Sequence, residues 1–468
     1  MMWNIFPIKT NRLVFKKNIT NQLSSFSSSP SNAIIQVISN EWLNLNEQLS
    51  MDKKINKGKS FVLAYNNSND SDKIDGLKFL TQKMSPNNDA LNNAIKNYQR
   101  SSNVHTIRDV YVASTPEYSK LFNAIYNISD GVKFLCNLRT DINRMIKVIS
   151  KQSNGEIANL VRLDSFLKEK LTNIFSLSNL SLQRITWNSP ASLLQKISSK
   201  EAVHPVKGLL DIERRVSSNR RCFVFTHSAM PNEPLIVVYV ALMKKIADNI
   251  QEIVNCTEDY NNKNENDKTT AIYYSISSLQ PGLKGIDLGN LLIKSVVREL
   301  EKELPNIVEH STLSPIPGFR NWLLRCIHGN SNFELFDEKT CNILKEIGFD
   351  LSDMDEVKKI IYREIESDSI EEYEKLKTFF MHACARYLCH AKELKNNFVL
   401  NPVTHFHLSN GAKIYRINWK GNTSGRGIQQ SLGIMVNYFY DTSKVQQTSS
   451  KYLNEKEILI SDDIKGLL

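Results

Sequence analysis

No stretch of this chain approaches the ~20 consecutive apolar residues that a membrane-spanning helix needs. The longest apolar run, PLIVVYVALM at 234–243, is rich in β-branched residues and predicts a buried strand, so neither a transmembrane segment nor a membrane partner is expected. Cysteine is scarce: seven in 468 residues, at 136, 222, 256, 326, 341, 384 and 389. That odd, scattered set is unlike a secreted disulfide framework and predicts free thiols in a reducing compartment. CxxC is absent. HACARYLCH at 382–390 holds His382, Cys384, Cys389 and His390, but a helix would turn Cys384 away from the other three, so no metal site is expected. Nor do arginines interleave with aromatics, so the net charge of +10, from 59 basic and 49 acidic residues, points away from nucleic acid and towards a small polyanion.

Acidic residues are missing from the first 40 positions, which carry Lys9, Arg12, Lys16 and Lys17 and the serine-rich SSFSSSP. A basic, acid-free, serine-rich start without an apolar core predicts a mitochondrial transit peptide and disordered N-terminus over 1–45, and hence the matrix; a disordered tail is the alternative. From about 70 to 185 the period is helical. Phe134, Leu138, Ile142, Met145, Ile146 and Ile149 recur at spacings of three and four, as do Ile157, Leu160, Val161, Leu167, Leu171 and Ile174. This predicts a helical domain over 46–190, with packing or assembly as its work. Beyond it RCFVFTH (221–227), PLIVVYVAL (234–242) and AIYYSISSL (271–279) read as strands, and NNKNENDK (261–268) as a solvated loop. The region 191–468 is therefore expected to be an α+β domain.

The third strand runs into QPGLKGIDLGNLL. Leu288, Leu292, Val296, Leu300 and Leu304 then form an i, i+4 ladder that Pro305 stops. Gly282, Gly285 and Gly289 around Lys284 make a glycine-rich turn at the helix start, where free backbone N–H groups and the helix dipole can hold a phosphate. The spacing is neither GxGxxG nor Walker A; it resembles the pyrophosphate loop of the GNAT acyltransferases, which seats the diphosphate of coenzyme A between a strand and a helix. A ligand-free strand-to-helix turn is the other reading. Downstream, HSTLSPIPGF (310–319) sets Ser314 before Pro315 and Pro317 and predicts a stiff loop, either a surface turn or a rigidly held hydroxyl.

Six blocks in order resemble malonyl-CoA decarboxylase: EAVHPVKGLLDIERRV (201–216), RRCFVFTHSAMPNEPLIVVYVAL (220–242), YYSISSLQPGLKGIDLGNLLIKSVVRELEKELP (273–305), TLSPIPGF (312–319), LNPVTHFHLSNGA (400–412) and YRINWKGNTSGRG (415–427). A weaker match lies at GVKFLCNLRTDI (131–142). The resemblance implies an N-terminal helical bundle for oligomerisation, a tetramer in the family, preceding a GNAT-like acyl-CoA-binding catalytic domain. It implies conversion of malonyl-CoA to acetyl-CoA and CO2 without metal or added cofactor, coenzyme A being part of the substrate. It places the coenzyme turn on Lys284, Gly285, Ile286, Asp287, Leu288, Gly289 and Asn290, the catalytic serine on Ser314 and the catalytic histidine on His407. Asp287, where relatives commonly carry glutamate, and Tyr440 are supporting polar positions.

The residue types suit the chemistry, because losing CO2 from a β-carboxyl thioester leaves an enolate that needs a donor at oxygen and a proton at carbon. A histidine titrating near neutrality would serve the second need, and whether it or the serine makes the final transfer stays open. Taken alone, VTHFHL reads as an alternating strand with Val403, His405 and His407 on one face, Asp287 as a helix cap and Tyr440 as core. Two departures matter. Ala191 and Ser228 stand where some relatives carry cysteines linked between subunits, so an oligomer is expected to do without them, and the chain ends DIKGLL rather than in a peroxisomal Ser-Lys-Leu. An acyltransferase on the same platform and a catalytically silent acyl-CoA sensor are the competing functions.

Overall fold

The computed structural model describes residues 32–43, 45, 48–150, 157–255, 267–367 and 371–468. Most of the expected targeting segment, up to residue 31, and the asparagine-rich stretch as far as residue 266 lie outside them. The chain forms two compact units: one reaches to Gly131 and includes Met145–Leu163, and the other comprises Val132–Arg144 and Asp164–Leu468. Residues 46–190, read above as one helical segment, are thus divided between the two.

In the first unit, asparagine marks helix starts. Asn69, Asn87 and Asn103 accept backbone N–H bonds at the N-termini of helices Asp70–Lys83, Asn88–Arg100 and Val104–Ser114, and Asn103 forms a reciprocal capping box with Thr106. Phe61, Leu77, Leu80, Leu121, Phe122 and Ile125 are wholly buried in this unit. Helix Val104–Ser114 is different: it buries no residue, and Val104, Ile107, Tyr111 and Val112 are exposed by 54–78%.

The second unit is built on an eight-stranded mixed sheet in the order β1-β2-β3-β4-β5-β8-β6, with β7 also on β8. The strands are β1 (Leu180–Ile185), β2 (Arg220–His227), β3 (Ile236–Met243), β4 (Thr270–Ser278), β5 (Glu309–Thr312), β6 (Ser314–Pro315), β7 (Lys413–Asn418) and β8 (Met435–Tyr440). The three strands expected from sequence are β2, β3 and β4. Cys222 and Val224, Val237, Tyr239 and Ala241, and Ile272 and Tyr274 point to one face and form one core, as the two-residue period requires. All pairs are antiparallel except β4 with β5, which are parallel and joined by helix Leu288–Glu303, the ladder expected before Pro305. Among the described residues no helix is long and apolar enough to cross a membrane, and the six described cysteines are free. His382 is a structural residue of the buried helix Lys377–Cys389, its ring bonded to the Thr340 hydroxyl and the Leu467 carbonyl.

Candidate active site

Ser314 opens β6, where it pairs with Val436 of β8; the expected stiff loop is a two-residue strand at this point. Two side chains clamp the chain just beyond it. The Pro317 carbonyl accepts from Asn401 Nδ2 at 2.9 Å and from the Tyr387 hydroxyl at 3.2 Å. Asn401 also caps helix Pro402–Ser409, its Oδ1 accepting from Val403 N and Thr404 N with Pro402 at the first turn. One amide therefore ties the serine segment to the histidine segment.

That helix corrects the strand reading of 403–407. On a strand His405 and His407 would share a face, whereas two residues of helix separate them by roughly 200°. His405 accordingly reaches the Tyr452 hydroxyl at 2.9 Å, and His407 turns to Ser314 with Nε2 3.2 Å from Oγ. Asn at the cap, Pro after it and Asn410-Gly411 at the end were the helix signals in the sequence; Gly411 has φ +85°, as a helix C-terminus favours. An eight-residue helix carries too few turns for periodicity to reveal it.

Around His407 the polar groups form a closed set. Nδ1 lies 2.8 Å from the Tyr440 hydroxyl, and the ring stacks on Tyr438 at 4.4 Å between centroids. Ser314 Oγ donates to Thr312 Oγ1 at 2.9 Å, and Thr312 Oγ1 also accepts from Tyr438 N. With the serine proton directed to Thr312, the consistent tautomer has His407 Nε2–H donating to Ser314 and the Tyr440 hydroxyl donating to Nδ1. Ser314, His407 and Tyr440 are all at least 94% buried. Burial drives His407 down to about 3 and the Tyr440 phenol well above its ordinary range. The imidazole is therefore neutral at pH 7, which corrects the expectation of a histidine titrating near neutrality.

The glycine turn lies beside this cluster. A Cβ on Gly289 would stand 2.9 Å from the ring of Phe406, the residue preceding His407, and a Cβ on Gly282 would fall on the Cys136 carbonyl oxygen. Both glycines are thus required by packing. Gly285 has φ +79°, and Lys168 Nζ sits 3.4 Å from where its Cβ would be. Lys284, Gly285 and Asp287 are exposed, Leu288 is buried, and Ile286 and Asn290 are intermediate. Asp287 holds the N-cap position without a capping bond; instead its Oδ2 accepts from Asn290 Nδ2 at 3.0 Å, and no bond joins it to Ser314, His407 or Tyr440. Asn290 Oδ1 is buried with no partner.

Little chemistry is legible in the sequence before residue 185, yet the turn is braced from there. Arg139 Nη1 donates to the Gly282 carbonyl at 2.6 Å while its Nε pairs with Asp164 Oδ1 at 2.9 Å. Arg139 falls within GVKFLCNLRTDI, so a signal existed; Asp164 and Lys168 lie on an amphipathic helix whose polar residues look like any solvated face.

Comparison with known proteins identifies the family of the chain. A family model described as the malonyl-CoA decarboxylase C-terminal domain matches residues 178–468, and one described as the malonyl-CoA decarboxylase N-terminal domain matches 84–175. The mitochondrial malonyl-CoA decarboxylase of Anser anser anser is 42% identical over 354 residues, covering 75% of this chain and 69% of that protein. That of Rattus norvegicus is 39% identical over 362 residues, covering 76% and 72%. The crystal structure of malonyl-CoA decarboxylase from Rhodopseudomonas palustris aligns with a TM-score of 0.77 at 29% identity over 92% of this chain and 98% of its own. That from Agrobacterium vitis gives 0.78 at 26% identity over 93% and 99%.

Proposed function

The chain belongs to the malonyl-CoA decarboxylase family, and from that premise we propose that Ser314, His407 and Tyr440 are its catalytic groups and that Lys284 to Asn290 seat the coenzyme. The protein is a carboxy-lyase that converts malonyl-CoA to acetyl-CoA and CO2, and by consuming malonyl-CoA it regulates fatty acid synthesis and oxidation.

The observation that carries the site is the buried set Thr312, Ser314, His407 and Tyr440. Breaking the bond to the carboxylate releases CO2 and leaves its electron pair in the thioester enolate, whose carbon then takes a proton. Ser314 turns its O–H from Thr312 to that carbon, and His407 Nε2–H refills the serine while Nδ1 takes the proton of Tyr440, whose oxygen receives in the same turnover a proton that comes ultimately from water. A neutral imidazole suits a handover of this kind, and the negative charge that passes from the carboxylate to the enolate as CO2 leaves draws the proton towards the substrate carbon. A thioester already delocalises the carbanion, so the chemistry requires no metal and no cofactor beyond the coenzyme A of the substrate.

The sheet with its single parallel pair, a glycine turn and a helix after it supports a GNAT-like coenzyme platform. Lys168 and Lys284 supply cationic groups for a diphosphate, and the unpartnered Asn290 Oδ1 supplies an acceptor for an amide N–H of the pantetheine arm. Asp287 is assigned to the shape of this turn through Asn290. The exposed apolar stripe of helix Val104–Ser114 favours a homo-oligomer joined through the first unit, a tetramer by family resemblance, without cysteines at positions 191 and 228. The basic, acid-free N-terminus favours import to the mitochondrial matrix, with 1–45 the targeting segment.

Incubating the pure protein with malonyl-CoA and no acceptor tests the activity. Acetyl-CoA released under those conditions supports decarboxylation; turnover only with an added amine or alcohol means an acyltransferase, and binding without turnover means a sensor.

A further inference from the structure

Each turnover consumes one proton. The C–C bond breaks, CO2 departs uncharged, and the enolate carbon gains a hydrogen that must come from water, yet Ser314, His407 and Tyr440 are almost entirely buried. The groups that protonate the product have to be recharged from outside before the next substrate is processed.

A second buried pair lies on the same part of the sheet. The β5–β8 register sets His310 directly opposite Tyr440, and the hydroxyl of Tyr273 on the neighbouring β4 is 3.1 Å from His310 Nδ1. His310 is 1% exposed, and its Nε2 has no hydrogen-bond partner. That nitrogen points to the carboxylate of Glu301 on helix Leu288–Glu303, 3.8 Å away, whose side chain is 44% exposed. A buried imidazole with one nitrogen bonded and the other unpaired is costly unless something uses it. In the sheet β5, which carries His310, lies between β4 with Tyr273 and β8 with Tyr440.

We propose that Glu301, His310 and Tyr273 form a proton-return relay that runs from solvent to Tyr440 and so recharges His407 and Ser314. A proton enters on Glu301 or a water beside it and passes to His310 Nε2, while the Nδ1 proton moves to the Tyr273 oxygen. The Tyr273 proton crosses to the Tyr440 oxygen, directly or on one water, as the Tyr440 proton moves to His407 Nδ1. Every hydroxyl gains one proton and loses one, so no tyrosinate forms, as the raised phenol pKa values of this buried set require; each imidazole ends in its other tautomer and has to return to the first before the next turnover. His310 works as a neutral carrier, since burial holds it down to about 4. None of the three relay residues needs to touch substrate.

This inference rests on the assignment of Ser314, His407 and Tyr440 as catalytic. The test uses the full chain with malonyl-CoA in dilute buffer and then with increasing imidazole. His310→Phe should lower kcat about tenfold or more with KM unchanged, the modest end of proton-transfer effects, and kcat should climb back as the small buffer acid replaces the relay. Tyr273→Phe, which preserves ring volume, should behave the same way, and Glu301→Gln should show a smaller loss. If His310→Phe fails to fold, Tyr273→Phe decides alone. Wild-type kcat in both variants, or a loss that buffer does not reverse in a protein of normal Tm, would overturn the relay. Ser314→Ala should be inactive at every buffer concentration; if it turns over normally, the site assignment itself is wrong, an outcome distinct from failure of the relay.

Discussion

The first unit removes Phe61, Leu77, Leu121, Phe122 and Ile125 from water, whereas the second buries Thr312, Ser314, His310 and Asn437 on its strands and His407 on the helix beside them. Apolar packing asks only for approximate volume and so tolerates substitution. A buried polar set is held by direction as well as volume: Asn437, for example, bonds Asn418, the Ala247 carbonyl and the Thr312 carbonyl at once. Losing one member strands the others without water to replace it. The helices can therefore present an assembly surface that varies, while the strand column has to stay as it is.

The sharpest way to break this contrast is at the column. Ser314→Ala and His407→Asn should each lower kcat by ~10²–10⁴, the range of a placed acid–base group, while coenzyme A affinity changes little by calorimetry. Near-normal turnover in either variant would remove that residue from the chemistry.

The next effect is expected where the glycine turn meets the histidine helix. Gly289→Val overpacks Phe406, costing about 1–3 kcal/mol, and should shift His407, lowering kcat as well as raising KM for malonyl-CoA. Adding Phe406→Leu makes room. Recovery of both constants in the double variant means that Gly289 serves packing only, whereas a KM that stays high means that its backbone also approaches the diphosphate.

Acid should act on the second unit through its histidines. Burial depresses His204 and His310 to about 4 and His407 to about 3, so the unfolded chain, binding near its ordinary 6.5, takes up protons that the folded chain does not. Their contribution to stability is whole above about pH 6.5 and is lost as pH falls towards 4 and 3. The urea midpoint should drop steadily from pH 7 to pH 4.5, less steeply in His310→Gln. The kcat/KM profile should show no inflection near 6.5 from His407; one that vanishes in His407→Asn would contradict its neutral state.

The smallest effect on turnover is expected in the first unit. Ile107→Glu with Tyr111→Glu places charges on the exposed stripe and should dissociate the proposed homo-oligomer in sedimentation, with kcat per chain within about twofold of wild type. An unchanged sedimentation coefficient would move the assembly surface elsewhere.

The sequence by itself determined the strands β2, β3 and β4, the ladder helix ended by Pro305 and the periodic helices before residue 175, because each is long enough for its period to show. It also determined the family, through six ordered blocks. Only the tertiary structure decided that His407 lies on a helix and faces Ser314, that it is neutral, that Asn401 couples the two segments, and that Arg139 braces the glycine turn from 143 positions away. Those relations are made by contacts between segments far apart in the chain. Burial, which sets the proton affinity of a histidine, is a property of its neighbours in space and is not written in the residues beside it.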